Sequence, residues 1–188
     1  QEYLSLGMEA KALKYADWLI REYPLEPRWW KGLAYLHLRE NRYRPALVAL
    51  TVKGLLEPFT PQETRIVADL NMSLGIPVQA LHFYKKIASE KLGPDIAYRV
   101  AQGYIRIHRP EDALNWVKKG LLKENENPQL MLLKGDLLYE LARYHEAAAV
   151  FERAACRKVT PGRSWLMAGY AAWNANETAR SRRASIHA

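Results

Sequence analysis

NPQLMLLKGDLLYELARYHEAAAVFERAAC, residues 127–156, decides the fold of this chain. Its apolar residues recur at three- and four-residue steps, which predicts two amphipathic helices at about 128–141 and 144–156, with the break at Ala142-Arg143. Gly135 lets the second helix approach the first. Ala147 and Ala154 lie seven apart on one helix face where only a small side chain admits a neighbour, and Phe151 fills the space between and beyond them.

The spacing recurs along the whole chain. From Ala147 toward the N-terminus the matching positions are Ala113, Ala80, Ala46 and Ala12, at steps of 34, 33, 34 and 34, and the next step toward the C-terminus reaches Ser181. Twelve positions earlier in each unit a second ladder reads Ala34, Ala68, Ala101, Gly135 and Gly169. Two small-residue ladders with one period establish a repeat. A period of 34 with a small residue on each of two helices is the signature of the tetratricopeptide repeat (TPR).

The chain thus resembles the TPR family over essentially all of its 188 residues. The family's first-helix aromatic is matched by Trp30 and Trp165, its later tyrosine by Tyr43 and Tyr144, its second-helix aromatic by Tyr84 and Phe151, and its closing proline by Pro24 and Pro58. Pro77 and Pro110 replace the tyrosine, but both suit the first turn of a helix, where the missing N–H costs nothing. Lys53 stands where a small residue is usual and unsettles the packing expected of that unit. The resemblance implies an all-α fold, a right-handed superhelix of antiparallel helix pairs with about five and a half repeats. The expected units are 1–26, 27–60, 61–93, 94–127, 128–160 and 161–188, forming one solenoid that is a fragment of a longer protein.

In chain order, residues 1–6 are too short for a full first helix, Gly7 marks a turn, and a helix is expected at about 9–23, ended by Pro24 and Pro27. The following helices are expected at about 28–39, 43–56, 61–73, 77–89, 94–107, 110–123 and 164–173, besides the two above and a last one running out at Ala188. Thr60 is the expected N-cap of its helix, and Gly75 the expected turn. Neither end carries an obvious polar cap of the kind that repeat arrays need, so self-association through uncapped ends is an expected possibility.

Composition narrows the function. An apolar fraction of 49% with 26% charged residues excludes wholesale disorder. No apolar run approaches the length needed to span a bilayer. The single cysteine, Cys156, supports neither a disulfide nor a zinc site and reads as a small packing residue. The net charge of +8 is spread along the chain apart from Arg180, Arg182 and Arg183, which in the last helix would complement the helix dipole. None of the five histidines (His37, His82, His108, His145 and His187) falls in a metal-ligand spacing, and no nucleophile or phosphate-loop motif is present. The expectation is a protein that is not an enzyme, with no cofactor and no metal.

A binding role has a surface behind it. In a TPR array the first helices line a groove. The resemblance carries groove positions to the fifth, ninth and thirteenth residues of each unit. These are Lys31, Tyr35 and Arg39, then Arg65, Asp69 and Ser73, then Tyr98, Gln102 and Arg106. They continue with Leu132, Asp136 and Glu140, and end with Leu166, Tyr170 and Asn174. Arginine can grip carboxylates in a fork and tyrosine supplies rigid area with a polar tip, so a peptide or protein is the expected partner. The lysine and asparagine set of TPR proteins that hold a C-terminal carboxylate is absent, since Tyr35 and Asp69 stand in two of its places.

The competing class is a helical-repeat protein reading single-stranded RNA, and Asp69, Asp136 and Glu140 interrupt the basic groove it would need. Of the tryptophans, Trp18, Trp116, Trp165 and Trp173 read as core or inter-repeat packing, whereas adjacent Trp29 and Trp30 cannot both face inward. Finally, VADLNMSLGIPVQALHFYKKI (67–87) and WLMAGYAAW (165–173) are similar to bacterial periplasmic TPR proteins that accompany TonB/ExbB/ExbD-type energy-transducing transport complexes. That resemblance implies a periplasmic location, with the cytoplasm as the alternative.

Overall fold

The computed structural model describes residues 9–188. Among them the chain is all-α, without a strand. Helix α1 (Glu9–Glu22) is followed by five helix pairs: α2 (Pro27–Arg39) with α3 (Tyr43–Leu56), α4 (Pro61–Ser73) with α5 (Pro77–Glu90), α6 (Pro94–Arg106) with α7 (Pro110–Leu121), α8 (Pro128–Glu140) with α9 (Tyr144–Cys156), and α10 (Pro161–Asn174) with α11 (Thr178–His187). The chain groups into two compact units, Gln1–Ile87 and Ala88–Ala188. The short segment and turn expected at residues 1–7 lie outside the described residues.

Helix starts follow the prolines. Pro27, Pro61, Pro94, Pro110, Pro128 and Pro161 each occupy the first turn of a helix, where the absent N–H leaves no bond unmade. Pro27 therefore opens α2 instead of closing α1. Likewise α10 begins at Pro161, three residues before the expected start, behind Thr160 in the left-handed region at φ 40° and ψ 63°. Thr60 caps α4 as expected: its hydroxyl accepts the Glu63 N–H at 3.3 Å while the Glu63 carboxylate accepts the Thr60 N–H at 3.0 Å.

Within each pair the turn repeats in the backbone itself. Asn41, Gly75, His108, Ala142 and Asn176 all have positive φ and are spaced 34, 33, 34 and 34 residues apart. Each terminates its helix in the same way. At Ala142 the N–H donates to Tyr139 O at 3.0 Å and the next N–H, of Arg143, donates to Leu138 O at 2.8 Å. This Schellman pattern satisfies carbonyls that the helix end would otherwise orphan.

The small-residue ladders are buried. In the first unit Ala34, Ala46, Ala68 and Ala80 have no exposed surface, and in the second the same holds for Ala101, Ala113 and Ala147. Gly135 is small for a stated reason: a Cβ there would lie 2.6 Å from the Phe151 ring, and Phe151 is itself fully buried. At the chain's two ends the ladder loosens, since Ala12 and Ser181 are half-buried.

Two expectations are corrected. Cys156 is exposed, because it closes α9 one residue past the buried Ala154–Ala155 step. Arg180 sits in the first turn of α11, not near its C-terminus, so the helix dipole is no explanation for it. Its guanidinium instead forks onto Glu152 through two bonds of 2.7 Å and reaches Glu177 at 2.9 Å, tying α11 to α9.

Candidate interaction surface

In the first unit the groove positions fall on α2 and α4. Arg39 and Arg65 are exposed, while Tyr35 and Asp69 are half-buried. Asp69 accepts a short hydrogen bond from the hydroxyl of Tyr84, whose ring is buried, so this carboxylate completes the core as well as facing outward.

Lys31 leads inward too. Its ammonium lies 2.9 Å from Glu63, which is only 1% exposed, and the hydrogen bond to Glu63 raises its pKa above the ordinary lysine value. Behind Glu63 is Lys53, 2% exposed, whose Nζ lies 2.8 Å from Glu63 Oε2, 3.0 Å from Pro58 O and 3.3 Å from Glu57. Lys53 therefore does not disturb the packing of its unit. It replaces a small residue with the centre of a satisfied ionic network. Burial pushes the Glu63 carboxyl up, but the hydrogen bonds from Lys31, Lys53 and the Thr60 N–H outweigh it and hold it at about 2.

In the second unit the groove positions fall on α6, α8 and α10. Tyr98 is half-buried, and Gln102 and Arg106 are exposed. Asp136, half-buried on α8, accepts a hydrogen bond from Arg163 of α10 at 3.2 Å. Burial raises its pKa and the Arg163 cation opposes that rise. Asn174 donates to the Tyr139 hydroxyl at 2.7 Å, a second tie between the same helices.

Leu166, Tyr170 and Trp173 are 48%, 54% and 65% exposed. At i, i+4 and i+7 they form one stripe on α10. Trp173, expected to pack in the core or between repeats, is therefore exposed. Its spacing from Leu166 and Tyr170 was the available signal, but periodicity does not say which apolar face of a helix is left uncovered. Trp18 is also exposed, whereas Trp29 and Trp30 are both half-buried, the latter donating its indole N–H to Pro24 O at 2.8 Å.

His145 is exposed and pairs with Glu177, and His108 is one of the left-handed turn residues. Among the described residues no group of three or more His, Cys, Asp and Glu side chains is placed to hold a metal ion. No described helix is long and apolar enough to cross a membrane.

No family model and no curated protein matches this sequence. Solved structures do. A crystal structure of MamA aligns with a TM-score of 0.73 at 12% identity, covering 86% of this chain and 88% of that one. YrrB, described as a TPR protein with an unusual peptide-binding site, aligns at 0.71 with 13% identity, over 94% and 91% of the two chains. PilF of Pseudomonas aeruginosa aligns at 0.62 with 15% identity, over 98% and 85%. The helix pairs, their period and these alignments establish the TPR fold for this chain.

Proposed function

We propose that this protein is a non-catalytic scaffold that docks a peptide or protein segment on the faces of its first helices. The observation that carries the reading is the Leu166–Tyr170–Trp173 stripe on α10, bordered by the Asp136–Arg163 pair. Large aromatic residues left half open to water beside a fixed ion pair are what interface hot spots are made of. The remaining contacts proposed are Tyr98, Gln102 and Arg106 in the second unit, and Lys31, Tyr35, Arg39, Arg65 and Asp69 in the first. YrrB's described peptide-binding site supports the same use of the fold.

A bacterial envelope setting, with an energy-transducing transport complex in the periplasm, is the context the sequence resemblance supports. Fractionation of source cells separates it from a cytoplasmic one.

The test is affinity capture from source-cell lysate, with wild type compared against Tyr170→Ala/Trp173→Ala and against Arg39→Glu/Arg106→Glu, read by mass spectrometry. A protein recovered by wild type and lost with either double variant supports the reading. Equal recovery by all three moves the site elsewhere, and recovered RNA favours the nucleic-acid alternative.

A further inference from the structure

At one register of the first helices stand Leu33, Val67, Val100, Lys134 and Ala168, spaced 34, 33, 34 and 34 residues apart. Four are buried apolar side chains, with exposures of 8%, 2%, 0% and 0%. Lys134 is the exception: a half-buried cation at a core register, with no hydrogen bond or ion pair among the described residues. A charge placed where the repeat calls for an apolar group is a local rule broken, and such breaks mark functional sites.

Lys134 lines an open-sided pocket of about 350 Å³ between α7 with the turn that follows it, α8 and α9. Leu121, Leu122, Met131 and Val150 supply apolar walls, and Lys118 and Arg153 bring two more cations. The corresponding cavity of the first unit, also about 350 Å³, has Val67 in this place and no charged residue in its lining. Its Thr51, Gly54, Leu55 and Phe83 correspond to Lys118, Leu121, Leu122 and Val150, each 67 residues on.

The nearby acids offset these cations only in part, Glu146 attracting Lys134 and Lys118 while held by another partner. Glu146 is gripped by Arg143 through bonds of 2.7 and 2.9 Å. Glu126 holds Arg157 at 2.6 Å and reaches Arg153 only at 3.8 Å. Burial, reinforced by Lys118 and Arg153, pulls the Lys134 pKa below the ordinary lysine value. An anion in the cavity would relieve that repulsion.

We infer that the α7–α9 cavity binds a small amphipathic carboxylate, its aliphatic body against the apolar walls and its head on Lys118, Lys134 and Arg153. The volume lies at the lower end of the roughly 300–1,000 Å³ usual for small-ligand pockets, which suits a single short chain. Because Glu126 already draws on one of the three cations, a singly charged head balances the site better than a dianion.

The probe is octanoate, titrated into the whole chain by calorimetry, with acetate, inorganic phosphate and a leucine-terminated peptide as separate arms. Saturable octanoate binding is expected, without detectable acetate or phosphate binding. Lys134→Val, which installs the first unit's residue, is expected to weaken octanoate at least about tenfold while raising the melting temperature of the ligand-free protein. Lys118→Gln/Arg153→Gln, at exposed positions, is expected to weaken it likewise without loss of fold. Absent octanoate binding, or equal binding by wild type and both variants, overturns the site. Acetate or phosphate binding as well as octanoate overturns the role of the apolar walls, and tighter binding of the peptide overturns the assignment to a small ligand.

Discussion

Lys53 and Glu63, ten residues apart and each at most 2% exposed, meet at 2.8 Å between α3 and α4. Neither charge is left wanting: Lys53 has Pro58 O and Glu57 besides, and Glu63 has Lys31 and the Thr60 N–H. A buried pair of this kind contributes little over an apolar pair of the same volume, yet removing one partner strands the other. Lys53→Met or Glu63→Leu alone is expected to cost about 3–5 kcal/mol. The double variant is expected to cost markedly less than the sum, and urea unfolding of the four proteins measures the coupling. Additive single costs would show the two charges to be independent.

The same carboxylate gives the first unit an acid limit. Its folded pKa of about 2 lies below the ordinary 4.5, so both states are ionised above pH 4.5 and the full stabilisation is present there. As pH falls from 4.5 toward 2 the unfolded state takes up the proton first, and on the order of 3 kcal/mol is lost across that window. In Glu63→Gln that loss should be missing. Identical acid unfolding of the two proteins would rule out Glu63 as its source.

The close approach of α8 and α9 is tested by filling it. Gly135→Ala would put a methyl 2.6 Å from the Phe151 ring, in a core with no room to yield. A destabilisation of about 1–3 kcal/mol is expected, with partial rescue by Phe151→Leu. Ala147→Leu and Ala80→Leu, at fully buried rungs, carry the same expected cost. Unchanged melting temperatures in all three single variants would mean that the ladder residues are not packing constraints.

The ladders and most helix boundaries were legible because they are local: spacing, proline at a first turn and Thr60 ahead of Glu63 each act within a few residues. The role of Lys53 is not legible in the sequence, because it depends on Glu63, a partner on another helix that no periodicity announces. The exposure of Trp173 is illegible for a related reason, since helical spacing identifies an apolar face without saying whether a neighbour covers it. The groove positions came from the family's register alone, and at Lys31 and Asp69 that register names residues whose polar atoms also serve the interior. Lys134 breaks a register whose four other members are apolar, a signal that lies beside the small-residue ladders and not on them.

Ala142 offers a test of the turns. Of the five residues that end the first helices of the pairs in the left-handed region, Gly75 and the two asparagines, Asn41 and Asn176, suit it chemically, but Ala142 at φ 56° has a Cβ and no polar group to compensate. Its two Schellman hydrogen bonds, at 3.0 and 2.8 Å, hold it there against a cost of about 1–2 kcal/mol. Glycine would remove that cost while giving back about 0.5–1 kcal/mol through the freer unfolded chain. Ala142→Gly is therefore expected to stabilise the protein by up to about 1 kcal/mol, a rise of about 2–4 °C in melting temperature for a chain of this size. Gly75→Ala, at φ 75° and with open space around its Cα, is expected to lose a similar amount for the same reason. Opposite shifts in the two variants support a left-handed turn at each place, and a fall in melting temperature for Ala142→Gly would place its backbone in another conformation.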